Sequence, residues 1–119
     1  STNSFAWMTC TATNNEFFNF GSAVKGQWHF IAGQYIANDA DDGTSAAYMN
    51  GVYYGPYPRT IDVPASNPGD GIRIGSAYSG NLTSPKALVD AVSVWTRVLT
   101  HAELNWLYNS GDGRAFADF

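Results

Sequence analysis

Short apolar runs alternate along the chain with clusters of Gly, Asn, Asp, Ser and Pro, a pattern typical of all-β proteins. The clearest alternation spans residues 27–36, where Trp28 and Phe30 share one face of a predicted central strand. The Asn50-Gly51 dipeptide favours a type I′ hairpin turn between two further strands. The other predicted strands are residues 5–11, 16–20, 44–49, 52–55, 71–77, 87–95 and 115–119, with residues 57–70 predicted mostly as a loop.

One short helix is predicted near the C-terminus. Thr100 and Glu103 have the spacing of a capping box, in which each side chain satisfies a backbone N–H at the helix start. Leu99 and Leu104 have the spacing of a hydrophobic staple. The helix is predicted to end near Tyr108, where Asn and Gly follow. Because it is so short, it needs packing against the rest of the protein to persist.

Composition narrows the classes of function. The 119 residues are 45% hydrophobic and 13% charged, which excludes intrinsic disorder and predicts one domain over residues 1–119. A net charge of −4, with six scattered Lys and Arg residues, disfavours nucleic acid and anionic membranes as partners. The sequence contains no apolar run long enough for membrane insertion and no signal-peptide pattern.

Four motifs occur in order along the chain. They are GQWHFIA at 26–32, AYMNG at 47–51, IRIG at 72–75 and VDAVSVWTRVLTHAEL at 89–104, the last leading into LYNSG at 107–111. In this order the chain resembles the laminin-G-like, concanavalin A-like lectin superfamily over most of its length. The resemblance implies an all-β, antiparallel jelly-roll β-sandwich with one short C-terminal-proximal helix. It also implies a non-catalytic module of an extracellular, cell-surface or virion protein, often with a ligand or calcium site at a loop edge.

The chain departs from the family pattern at its start. Members of the family usually have further strands before the segment that residues 4–8 resemble, and residues 11–24 look shortened. A β-sandwich that lacks strands exposes unpaired strand edges, which natural proteins cover or pair. We therefore expect an oligomer or a larger assembly in which a neighbouring chain completes the sheet.

The acidic turn at Asp39, Asp41 and Asp42 is the candidate metal site. Clustered carboxylate oxygens suit Ca²⁺, the one cofactor that the sequence suggests. The turn lacks the bidentate Glu of an EF-hand, and Asp is also common in ordinary solvated hairpin turns. Both interpretations stay open at this point.

Aromatic residues around the hairpin are the candidate ligand-binding residues. They are Tyr53, Tyr54, Tyr57 and the neighbouring Arg59, with Tyr78 as a weaker addition. Flat aromatic rings stack on the C–H faces of sugars, and tyrosine is also enriched in protein interfaces. A third alternative is that these rings cover their own sheet. The predicted partner is a glycan or a protein surface.

The remaining chemistry-bearing residues are predicted to be structural. Asp90, inside an apolar strand, is expected to be a buried carboxylate paired with Arg97. His29 is expected to be a hydrogen-bonded structural histidine and Cys10 a buried thiol. Core and strand-face positions are expected for Trp7, Trp28, Trp95 and Trp106, and Asn81-Leu82-Thr83 matches a glycosylation sequon.

No catalytic residues are predicted. Glycoside hydrolysis normally needs two facing carboxylates, and the chain has two glutamates and no E-x-D-x-x-E run. The capping box already uses Glu103. The sequence therefore predicts a non-catalytic recognition or adhesion module that binds a glycan or surface ligand through loop aromatics. The alternative is a structural or decoration subunit of an extracellular or virion assembly, with protein contact as its main role.

Overall fold

The computed structural model describes residues 4–10, 15–37, 43–60 and 87–114, without the side chains of Thr9, Cys10, Asn15 and Ala37. The elements are β1 (Phe5–Cys10), β2 (Asn15–Phe20), β3 (Ile31–Ala37), β4 (Gly43–Met49), β5 (Val52–Arg59) and α1 (His101–Tyr108), followed by a 3₁₀ turn at Asn109–Gly111. The chain divides into two compact units, residues 1–63 with 95–119 and residues 64–94. All of these elements lie in the first unit, and a single domain over residues 1–119 stays a prediction.

The strands form two antiparallel sheets. β1 pairs with β2 over its full length, from Phe5 opposite Phe20 to Cys10 opposite Asn15. The second sheet has the order β3-β4-β5. Among the described strands only β4 has a neighbour on both sides, and the central position predicted for residues 27–36 stays a prediction. The antiparallel sheets and the one short α-helix found among the described residues agree with the predicted mainly β class, whereas the complete jelly roll stays a prediction.

The β4–β5 hairpin forms as its dipeptide predicts. Asn50 and Gly51 have φ values of 48° and 93°, the two positive φ angles of a type I′ turn. The Asn50 side chain accepts a hydrogen bond from the Phe30 N–H at 2.9 Å and contacts His29 Nδ1 through its amide nitrogen at 3.1 Å. His29 Nε2 also lies 3.3 Å from the Val24 carbonyl oxygen. His29 therefore has the structural role predicted for it, which is to join the turn to the segment before β3.

β5 is longer than predicted. Its pairing shifts from Ala47 opposite Tyr54 to Ser45 opposite Tyr57, which places one extra residue in β5 as a β-bulge. The strand then continues to Arg59 through residues that were predicted to form a loop. Because Ala47 and Ser45 face the same side of β4, the bulge brings Tyr54 and Tyr57 onto one face.

The three-stranded sheet is covered on both faces. One face packs against α1 in a cluster of buried residues, namely Tyr48, Leu99, Leu104 and Leu107. The other face packs against the β1–β2 hairpin in a second cluster, namely Phe20, Ala47 and Met49. Successive residues of β4 point to opposite faces, so this one strand supplies both clusters.

The capping box and staple of α1 are confirmed. The Thr100 hydroxyl oxygen accepts from the Glu103 N–H, and the Glu103 carboxylate accepts from the Thr100 N–H. Leu99 and Leu104 are both buried in the same cluster. The helix ends at Asn109, whose φ of 47° is the left-handed conformation of a helix stop.

Polar contacts hold α1 on the sheet. The Leu99 N–H donates to Gln34 Oε1 at 2.7 Å in a buried hydrogen bond between residues 65 positions apart. The Tyr48 hydroxyl donates to Asn105 Oδ1 at 2.6 Å. The helix is thus fixed to β3 and β4 at both its start and its middle.

Residues 87–95 do not form the predicted strand. Ala91 has a φ of 50°, and its N–H donates to the Asp90 carboxylate at 2.8 Å. A residue with left-handed backbone conformation in the middle of the segment interrupts the extended backbone on which side chains alternate between two faces. Asp90 is exposed, so it is not the buried carboxylate predicted, and Arg97 makes its ion pair with Glu103. The strands predicted at residues 71–77 and 115–119 lie outside the described residues.

Candidate functional site

The predicted tyrosines lie on two different faces of the sheet. Tyr53 faces α1 and contacts His101, with ring centroids 3.9 Å apart and an angle of 43° between the ring planes. Tyr54 and Tyr57 face β2, where their centroids lie 5.8 Å from Phe20 and 4.6 Å from Phe18 respectively. Tyr57 keeps 42% of its surface exposed. These contacts favour the self-packing alternative for Tyr54, and a ligand-binding role for the tyrosines stays a prediction.

The other predicted site residues are buried or outside the described parts of the chain. Arg59 is only 6% exposed, and its guanidinium carbon lies 5.0 Å from the centre of the Phe18 ring. Tyr78, the sequon at 81–83 and the acidic turn of Asp39, Asp41 and Asp42 lie outside the described residues. Within the described ranges, no three His, Cys, Asp or Glu side chains form a metal-binding group. Calcium binding stays a prediction.

Three of the four tryptophans are more exposed than expected for core residues. Trp7 packs into the cluster between the sheets, but Trp28 is 66% exposed, Trp95 40% and Trp106 43%. Trp28 lies before β3, in a segment without regular structure. Trp106 lies on α1 about 200° around the helix axis from buried Leu104, because each helical residue advances about 100°. None of these three tryptophans lies in the core or on a described strand, so the expected core or strand-face position is wrong for Trp28, Trp95 and Trp106.

Two of these indoles flank a shallow depression beside α1, which we call the tryptophan hollow. Its lining residues are Trp95, Arg97, Leu99, Glu103, Trp106 and Leu107. It encloses about 110 Å³, whereas sites that engulf a small molecule have about 300–1,000 Å³. The hollow therefore suits contact with one flat ring face.

Charged groups are fixed at the rim of the tryptophan hollow. Arg97 donates two hydrogen bonds to the Glu103 carboxylate, at 2.6 and 3.0 Å, and its guanidinium carbon lies 5.9 Å from the Trp95 ring centre. Arg114 does not line the hollow, but its guanidinium carbon lies 4.6 Å from the Trp106 ring centre. Arg114 Nε also donates to the Trp106 carbonyl oxygen at 2.9 Å. Both indoles thus have a guanidinium beside them.

The pKa of Glu103 is strongly lowered at this rim. Hydrogen bonds from Arg97, and then from the backbone and side chain of Thr100, lower the pKa of the carboxyl from 4.5 to about 2. The same ion pair raises the pKa of Arg97. Glu103 therefore stays ionised in the folded protein at pH values where the unfolded chain would bind a proton.

This lowered pKa predicts a pH dependence of stability. The contribution of Glu103 is present above about pH 4.5 and is lost as the pH falls through about 2, because the unfolded state binds the proton first. In urea unfolding measured from pH 6 to pH 2, Glu103→Gln is expected to show a smaller loss of stability than the unsubstituted protein. Asp112→Asn, at an exposed carboxylate, is the control and is expected to retain the full loss. An unchanged profile for Glu103→Gln would contradict the prediction.

Sequence reasoning missed the tryptophan hollow for two reasons. The sequence did indicate an exposed Trp106, because its position lies off the apolar stripe that Leu104 and Leu107 define along the helix. Nothing in the sequence indicated an exposed Trp95, because the strand predicted for residues 87–95 placed this residue on the sheet. The hollow depends on Trp95 lying beside the helix, which no local pattern describes.

The described chain is thus a mainly β module with two antiparallel sheets, a short capped helix and a shallow aromatic depression at its surface. A laminin G family model, described as the concanavalin A-like lectin/glucanases superfamily, matches residues 1–105. The chain belongs to this superfamily, as the order of its motifs predicted. No curated protein and no solved structure matches it. Within the described residues, no helix has the length and apolar character to cross a bilayer.

Proposed function

We propose that this protein is a non-catalytic recognition module that binds a glycan at the tryptophan hollow. The observation that carries the proposal is the pair of indoles, Trp95 and Trp106, each about two-fifths exposed and placed around one depression. An indole presents a flat apolar face to the C–H surface of a sugar ring. Arg97 and Glu103 at the rim supply the few fixed polar groups that orient a ligand in such sites.

The hydrogen bonding of the two glutamates supports a role without catalysis. Glycoside hydrolysis uses a pair of carboxylates that flank the scissile bond. Glu103 is bound by Arg97 and Thr100, and Glu16 accepts hydrogen bonds from the Thr60 N–H and hydroxyl. Since both glutamates hold structural elements together, we assign this chain to the lectin side of its superfamily.

The proposed setting is extracellular, on a cell surface or on a virion. A shallow hollow that contacts one ring face binds weakly by itself. Several copies in one assembly raise the overall affinity by multivalency, without any new contact at each site. The predicted oligomer therefore fits the same proposal.

The test is a glycan array, followed by affinity measurements on the best ligand with calcium and with a chelator. Trp106→Ala and Trp95→Ala are expected to weaken binding about tenfold, which corresponds to about 1.4 kcal/mol. Trp28→Ala, at an exposed tryptophan outside the hollow, is the matched control and is expected to bind normally. The proposal fails if the array is silent or if the control loses as much affinity as the other two. Loss of binding only in the chelator arm would favour the calcium site.

The second candidate function is structural, and one observation favours it. Met8 and Phe17 lie directly opposite each other on the outer face of the β1–β2 sheet and are 53% and 62% exposed. Exposed apolar pairs of this kind are suited to protein contact. A silent array together with self-association in light scattering, abolished by Phe17→Lys, would favour this function over glycan binding.

A further inference from the structure

The chain turns back toward α1 directly after the helix. Four residues between positions 109 and 113 have positive φ values, from 47° to 107°. The Gly113 N–H donates to the Tyr108 carbonyl oxygen at 3.1 Å, and the Asn109 side-chain amide donates to the Gly113 carbonyl oxygen at 2.9 Å. These hydrogen bonds fix the backbone of the turn up to the residue before Arg114. The starting point of the Arg114 side chain is therefore fixed as well.

Arg114 contacts Trp106 in two ways. Its Nε–H donates to the Trp106 carbonyl oxygen at 2.9 Å, and its guanidinium carbon lies 4.6 Å from the centre of the indole ring. A guanidinium within about 6 Å of the centre of an aromatic ring is attracted by the π-system. One side chain thus contacts both the backbone and the ring of the same residue, which restricts the orientation of the indole.

The orientation of the Trp106 indole matters for binding at the tryptophan hollow. Trp106 is 43% exposed and forms part of the lining of the hollow. A side chain that is mobile before binding loses conformational freedom when a ligand fixes it, and this loss weakens affinity. Arg114 does not line the hollow, so the part of the indole that it contacts is not the part that a ligand in the hollow meets.

We propose that Arg114 is a positioning residue, which holds the Trp106 indole in the orientation in which it borders the tryptophan hollow. This inference rests on the proposed function, because it gives Arg114 a role in binding the same ligand. Arg114 acts through Trp106 and does not touch the ligand itself. A guanidinium suits this role, because it donates from Nε to a carbonyl oxygen while its planar group contacts an aromatic ring.

A purely structural role for Arg114 makes a different prediction. The last four carbonyl groups of a helix have no partner within it, and a basic side chain near them stabilises the helix end. Arg114 supplies such a contact at the Trp106 carbonyl. Arg114→Lys keeps a cation near these carbonyl groups and removes the planar group. This substitution therefore separates stabilisation of the helix end from orientation of the indole.

The first measurement needs no glycan. In protein labelled with fluorotryptophan, the fluorine NMR resonance of Trp106 is assigned with Trp106→Phe. Arg114→Lys and Arg114→Met are both expected to broaden this resonance and shift it toward its position in the urea-unfolded chain, because the indole then exchanges between orientations. The Trp28 resonance is expected to stay unchanged. Lys25→Met, which removes an exposed cation elsewhere, is the matched control and is expected to leave the Trp106 resonance unchanged.

The second measurement is the affinity for the best glycan of the array. Arg114→Lys and Arg114→Met are both expected to weaken binding about fivefold, which corresponds to about 1 kcal/mol, and Lys25→Met is expected to bind normally. In the Trp106→Ala background, Arg114→Met is expected to have no further effect, because the residue through which Arg114 acts is gone.

Two results would overturn the proposal. One is a Trp106 resonance that is the same in Arg114→Met as in the unsubstituted protein, and the other is full affinity in Arg114→Lys. A silent array overturns the proposed function alone, because the fluorine spectra decide whether Arg114 orients the indole without any ligand.

Discussion

Leu104→Ala is expected to lower the free energy of unfolding by about 3–4 kcal/mol, the middle of the range for a buried leucine. Leu104 is fully buried and packs in the cluster with Tyr48, Leu99 and Leu107. The cavity left by the substitution cannot collapse easily, because two polar contacts already fix α1 to β3 and β4. Urea denaturation followed by tryptophan fluorescence and by circular dichroism measures the loss.

Leu88→Ala is the matched control for this substitution. It removes the same atoms from a leucine that is 82% exposed, so its effect is expected to stay within about 0.5 kcal/mol. A cost below about 1 kcal/mol for Leu104→Ala would contradict the prediction. It would mean that the cluster under α1 contributes little to holding the helix on the sheet.

The same helix supports the proposed binding site. Trp106 projects from α1 beside Leu107, and Glu103 joins the capping box to Arg97 at the rim of the hollow. The residues that begin the helix therefore also fix the charged rim. Substitutions in the cluster under α1 are expected to reduce stability and binding together, whereas Trp106→Ala is expected to reduce binding alone.

Local signals in the sequence predicted the elements whose geometry is decided locally. Asn50-Gly51 accepts two positive φ angles with little strain, so the hairpin turn followed from two residues. The capping box at Thr100 and Glu103 closes within one helical turn, so the helix start also followed from the sequence. The β1–β2 hairpin followed from its apolar runs.

Elements whose geometry depends on a partner were predicted less well. β5 continues past Gly55 because a bulge restores its pairing with β4, and a proline-rich sequence does not reveal such a bulge. Residues 87–95 alternate like a strand, yet the local hydrogen bond from Ala91 to Asp90 turns the backbone. In both cases hydrogen bonds made by the backbone outweighed the local sequence pattern.

The candidate site also combines a feature that the sequence predicted with features that depend on packing between distant segments. The sequence predicted that aromatic residues would carry recognition, and it selected tyrosines because they follow one another along the chain. The bulge in β5 turns Tyr54 and Tyr57 toward β2, and the irregular path before α1 brings Trp95 beside Trp106. Which aromatic residues stay exposed depends on packing between distant segments, and single-residue propensities carry no information about it.

Gly33→Ala is the second substitution with a large expected effect, a loss of about 2–3 kcal/mol in the free energy of unfolding. A Cβ at this position would overlap three atoms of the Trp7 ring, Cζ3, Cε3 and Cη2. Because the ring lies directly on the glycine, the indole must move, and with it the β1 strand that packs on β4. Denaturant unfolding of the purified variant provides the measurement.

A double-mutant cycle with Trp7→Ala tests the cause of that loss. Once the indole is gone, alanine at position 33 has space and better strand propensity than glycine, so Gly33→Ala is expected to become nearly neutral. The two substitutions should then be coupled by about 2 kcal/mol, close to the cost of Gly33→Ala alone. Additive costs would show instead that the indole does not rest on Gly33. In that case the layer between the two sheets would be packed differently from the arrangement described above.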